Sequence, residues 1–144
     1  MPLVQCGNSS HANNRSTTCW LPAACFIKIQ NAVELALALK IVTVTQSKFA
    51  IRSVGYMANP GFSSVGDSGL LLDLGALNDT TLSSKGDVVS VGPGATWDKV
   101  YEKLEKQELT VVGGRVSGVG VGGLITGGSS FHFLRRSPLF GVME

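Results

Sequence analysis

The chain has 144 residues, of which 44% are hydrophobic, and carries 12 Lys+Arg against 10 Asp+Glu for a formal net charge of +2. That is enough for one compact core and too little for a multi-domain protein. No basic cluster exceeds Arg135-Arg136, so neither nucleic acid nor a membrane surface is an expected partner, and no hydrophobic run reaches the ~20 residues that span a bilayer.

Residues 1–20 are rich in Asn, Ser and Thr, lack apolar periodicity and read as a flexible polar tail, with no apolar segment of the kind a secretory leader needs. Cys6, Cys19 and Cys25 match no zinc spacing and cannot all pair, so neither a metal site nor a disulfide framework is expected, and Cys25 reads as a packed thiol. Asn8, Asn14 and Asn78 each open a glycan-acceptor triplet, a pattern short enough to arise by chance.

The apolar run at 24–29 predicts a strand, and Asn31 with Glu34 predicts a helix start. That helix extends to about residue 45 and is apolar almost all round, as for a helix lying between layers. Strands follow at 49–52 and 70–74, separated by a glycine-bearing loop, so a parallel βαβ unit is expected. Residues 80–82 and 88–91 flank a turn and predict an antiparallel hairpin. Thr96 then caps an amphipathic helix with Asp98 in its first turn and Trp97, Val100, Tyr101 and Leu104 on one face. A strand at 110–112 precedes glycine-rich loop around one apolar segment at 121–126, and the class is α+β.

Eight of the 18 glycines fall between Gly113 and Gly128. Gly118, Gly120 and Gly123 satisfy the dinucleotide pattern G-x-G-x-x-G, but late in the chain and without the acidic residue ~20 positions on that a Rossmann loop requires. Such density is costly in backbone entropy and suits amides converging on phosphate oxygens. A second turn, Arg52-Ser53-Val54-Gly55-Tyr56, leaves a strand end and offers a guanidinium, a hydroxyl and a glycine amide, again apt for a diphosphate.

Taken in order, Phe49-Ala50-Ile51-Arg52-Ser53-Val54-Gly55-Tyr56, Asn59-Pro60-Gly61-Phe62, Leu72-Asp73-Leu74, Val91-Gly92-Pro93-Gly94-Ala95-Thr96-Trp97, Gly113-Gly114-Arg115, Gly120-Val121-Gly122-Gly123 and Gly127-Gly128 carry a resemblance. From residue 21 to about 136 the chain resembles the FAD-binding domain of the vanillyl-alcohol-oxidase or PCMH type, closest to the berberine-bridge-enzyme-like and 6-hydroxynicotine-oxidase-like oxidoreductases. The resemblance implies a partial domain over 21–144, with a small parallel βαβ subdomain, an antiparallel subdomain and an incomplete C-terminus.

It further implies that the turn from Arg52 to Tyr56 wraps the FAD diphosphate. Ser117, Gly118, Val119, Gly120, Gly122 and Gly123 would line another side of the cofactor, with Gly127 and Gly128 near the flavin or adenosine. Members of the family transfer hydride from a substrate carbon or alcohol to the flavin, with dioxygen as the usual acceptor, and many are secreted.

Three departures shape the expectation. Tyr56 stands where the family has the histidine that bonds covalently to the flavin, and Val116 where some members have a second, cysteinyl link, so FAD would be held non-covalently. Val54 replaces a glycine, and its branched side chain would narrow the approach to the diphosphate and disfavour positive φ. The chain ends where a substrate domain with the catalytic base would follow, leaving catalytic residues and substrate unassigned. Alternative readings are an inactive remnant with weak or no FAD binding, and a phosphate- or nucleotide-binding module without redox chemistry. His132, between two phenylalanines, reads as a packed residue.

Overall fold

The computed structural model describes residues 3–6, 15–19, 21–62 and 64–127. The chain divides into two compact units, Met1–Leu77 and Asn78–Glu144.

In the first unit, strands β1 (Leu3–Cys6), β2 (Cys25–Lys28), β3 (Phe49–Arg52) and β4 (Leu70–Asp73) form one sheet in the order β1-β2-β4-β3. Both β2 and β3 run parallel to β4, whose Leu72 lies opposite Ile27 on one side and Ile51 on the other. The unbroken run Leu70-Leu71-Leu72 suits that central place, because a parallel strand is covered on both faces and needs apolar residues in succession.

Helix α1 (Ala32–Val44) connects β2 to β3. Its start is fixed as the sequence implies: the Glu34 amide donates to Asn31 Oδ1 at 2.9 Å, and Glu34 Oε2 accepts from the Gln30 amide at 3.0 Å. Leu35, Ala38 and Leu39 pack against the cluster of Ile29, Leu72 and Leu74. The expectation of a helix covered all round is corrected. Val33, Leu37, Ile41 and Val44 are exposed, because helical steps of about 100° put them on the face opposite the buried Val42.

The N-terminal segment also departs from expectation. Leu3–Cys6, read as tail, is an antiparallel edge strand on β2, and residues 17–19 form a single 3-10 turn. Cys6 and Cys25 face each other in that ladder and form a disulfide, while Cys19 is buried and outside the disulfide. The spacing rule missed the bond because strand register, not sequence distance, brings the two sulfurs together.

The second unit holds the hairpin β5 (Thr80–Leu82) and β6 (Val89–Val91), antiparallel as expected, then α2 (Trp97–Glu105) and the short α3 (Val121–Thr126). Trp97, Val100 and Leu104 of α2 are buried with Val89, Ala95, Val111 and Val121. The strand expected at 110–112 is extended chain with no ladder partner among the described residues. Val111 supplies a core side chain there without joining a sheet.

Reduction, or Cys6→Ser, is expected to lower the unfolding free energy by about 3 kcal/mol, the order for a closed loop of this size. Urea denaturation with and without dithiothreitol measures it, and coincident curves would show that β1 is not tethered.

Candidate functional site

The first candidate turn begins where β3 ends. Arg52 and Asp73 occupy paired positions on adjacent parallel strands, and both are buried. Arg52 Nε donates to Asp73 Oδ2 at 2.8 Å, and its Nη2 lies 2.7 Å from the same oxygen. The second carboxylate oxygen accepts from the Gly75 amide at 2.8 Å, and the Leu74 amide donates to the Arg52 carbonyl at 2.8 Å. One aspartate thus ties the end of β3 to the turn after β4. The guanidinium read from the sequence as a diphosphate donor is ion-paired with Asp73, and Arg52 shapes the turn from beneath.

Gly55 sits at φ +71°, in the left-handed region where glycine is strain-free. Val54 does not adopt positive φ, so the conformational penalty expected of its branched side chain does not arise. The amides of Val54, Gly55 and Tyr56 donate to no acceptor among the described residues. Gly55 is buried, and a buried donor without an acceptor is costly, so three in succession suit an anionic ligand. Ser53, Val54 and Tyr56 are half-buried around them.

In the second unit the glycine-rich segment sorts into distinct roles. A Cβ on Gly113 would lie 2.1 Å from the Trp97 ring and one on Gly114 2.6 Å from it, so both glycines let the backbone press on that indole. Gly122 is similarly confined, 2.8 Å from the Pro93 carbonyl. Much of the glycine density therefore serves packing, which the sequence pattern alone had assigned to ligand contact.

Gly118 and Gly123 face open space instead, and Gly118 has φ +79°. Ser117, Gly118, Gly123 and Gly127 are exposed, Val119 is half-buried and Gly120 is buried. The segment is pinned at Gly120, which bridges to Thr96 between the bonds Trp97 N–Val119 O at 3.0 Å and Val121 N–Ala95 O at 2.9 Å. Asp98 Oδ1 accepts from the Gly118 amide at 3.2 Å. Hydrogen bonding from the Thr96 side chain, and then from the Gly118 amide, holds the Asp98 carboxyl below the ordinary aspartate range. Gly128 and His132 lie outside the described residues.

A family model described as "FAD binding domain" matches residues 23–139. The FAD-dependent monooxygenase yanF of Aspergillus niger is 42% identical over 124 residues, covering 86% of this chain and 21% of that protein. The fold aligns with aclacinomycin oxidoreductase at a TM-score of 0.77 and 20% identity, over 89% of this chain and 27% of that one. It aligns with the berberine-bridge-enzyme-like protein 28 of Arabidopsis thaliana at 0.77 and 20%, over 86% and 28%. At such identities the structural likeness speaks for the fold.

An α+β domain with two glycine-bearing turns is thereby identified as a flavin-nucleotide domain. The chain belongs to the FAD-binding domain family, and its cofactor is FAD. It spans about a fifth of the length of the curated relatives it matches. In the first unit, the amides at Val54–Tyr56, without an acceptor among the described residues, are of the kind that fits the phosphates of that cofactor.

Asp73 and Asp98 escaped the sequence reading. The signal for Asp73 was present, an acid closing a strand of leucines, where burial demands a partner.

Asp73→Asn is expected to cost about 3–5 kcal/mol, since removing one partner strands a buried charge. Denaturant titration measures it, and a loss within error would show that Arg52 is satisfied elsewhere. For Asp98, a depressed folded-state pKa means its stabilising bonds are present at neutral pH and lost as pH falls through that value. The Gly118 amide, followed by NMR, is expected to titrate below the pH of an unperturbed aspartate, and a midpoint at or above it would remove the bond.

Proposed function

We propose that this domain holds FAD without a covalent tether and forms the cofactor-binding part of a flavin-dependent oxidase or monooxygenase. The observation that carries the reading is the run of three unpaired amides at Val54, Gly55 and Tyr56, beside a left-handed glycine. These donors would take the cofactor's diphosphate oxygens, and the Arg52–Asp73 pair beneath would keep them pre-aligned. Ser117, Gly118, Val119, Gly120, Gly122, Gly123 and Gly127, with Gly128, would contribute backbone to the rest of the nucleotide.

Tyr56 offers no imidazole and Val116 no thiol, so neither family tether can form at those positions. When bound, the flavin supplies the acceptor for a hydride from the substrate, with dioxygen as the expected reoxidant. This chain's residues would bind and orient it, and the substrate and the catalytic residues stay unassigned.

FAD in excess is expected to raise the thermal midpoint of the purified protein, because a ligand selective for the folded state must stabilise it. Acid precipitation should then leave the flavin in the supernatant. An unchanged midpoint would defeat the binding reading, and a yellow pellet would defeat the non-covalent one.

A further inference from the structure

The first turn carries a second arginine that belongs to none of the motifs. The Arg15 amide donates to the Gly55 carbonyl at 2.9 Å, and the Arg15 guanidinium carbon lies 4.3 Å from the centroid of the Tyr56 ring. Backbone and side chain of one residue therefore engage two consecutive members of the turn. The hydrogen bond fixes where the side chain starts, and the stacking contact fixes where it goes. Arg15 itself is exposed, so its charge is open to a ligand from solvent.

The charge balance of the turn gives this placement its meaning. Arg52, the arginine the motif supplies, is buried and ion-paired with Asp73, so its charge is offset before any ligand arrives. What remains at Val54–Tyr56 is a set of backbone dipoles. An anionic diphosphate gains from dipoles, but it gains more from a guanidinium, whose planar fork of donors matches two phosphate oxygens at once. The Tyr56 ring meets the guanidinium at its central carbon, and a guanidinium with five N–H donors on an exposed residue keeps donors for a ligand.

We infer that Arg15 supplies the cation for the cofactor's diphosphate in this protein, and that Tyr56, standing where relatives of the family carry the tethering histidine, serves as the platform that orients it. The inference rests on the reading that the turn binds FAD. It makes the exchange of histidine for tyrosine a change of binding strategy, from a covalent anchor to a charge held by stacking. It also gives the segment around residue 15 a role beyond that of a tail.

The test is equilibrium binding to the purified full chain of FAD and, separately, of riboflavin, which has the same isoalloxazine but no phosphate. Flavin fluorescence is the readout. Arg15→Gln is expected to raise the Kd for FAD about tenfold or more, in line with loss of a charge-assisted hydrogen bond, and to leave that for riboflavin unchanged. Arg15→Lys, which keeps the charge without the fork, should fall between wild type and Arg15→Gln. Tyr56→Leu, which removes the platform, should likewise weaken FAD more than riboflavin.

Wild-type protein that binds FAD, with an Arg15→Gln variant that binds it equally well, would overturn the assignment of Arg15 and leave the FAD reading intact. Equal weakening toward both ligands would overturn it as well, by showing a general loosening of the turn. Wild-type protein that binds no FAD would overturn the reading on which the inference rests. Circular dichroism of each variant separates a binding loss from unfolding, and the lysine variant keeps the comparison available if the glutamine variant does not fold.

Discussion

A buried ion pair between neighbouring parallel strands organises the candidate site in the first unit. Arg52 and Asp73 lie at matched register on β3 and β4, where both strands give way to turns. Desolvating two charges is expensive and is offset only with good geometry and further hydrogen bonds. Here one carboxylate oxygen accepts from Arg52 Nε and lies 2.7 Å from Nη2, while the other accepts from the Gly75 amide. The consequence is directional. With the Arg52 side chain drawn inward, the amides of Val54, Gly55 and Tyr56 follow it with no acceptor among the described residues, on a base that cannot shift without exposing a buried charge.

Glycine serves two purposes in the domain. At Gly55 and Gly118 it permits positive φ, which lets the chain turn sharply without strain. At Gly113, Gly114 and Gly122 it removes a Cβ that would collide with the Trp97 ring or the Pro93 carbonyl. The fully buried indole of Trp97, at the start of α2, thereby sets the path of the chain toward Gly118. Tight packing and open backbone are carried by the same stretch of sequence, at different residues.

The long outward face of α1 has a related origin. Helix formation there is secured by good formers and a strong start at Asn31 and Glu34, not by amphipathicity. One side is consumed by the sheet, while Val33, Leu37, Ile41 and Val44 remain exposed on the other.

The sequence by itself determined the elements whose cause is local: the capped start of α1, the apolar face of α2, the β5–β6 hairpin and the parallel pairing around a run of leucines. The ordered motifs likewise sufficed to mark an FAD-binding domain, because they record backbone requirements that few side chains meet. Tertiary structure alone decided the partners. It paired Arg52 with Asp73, joined Cys6 to Cys25 across a ladder, set Arg15 over Tyr56, and divided the glycines between packing and open space. Each of these depends on residues distant in sequence reaching the same few ångströms, and spacing along a chain carries no such distance.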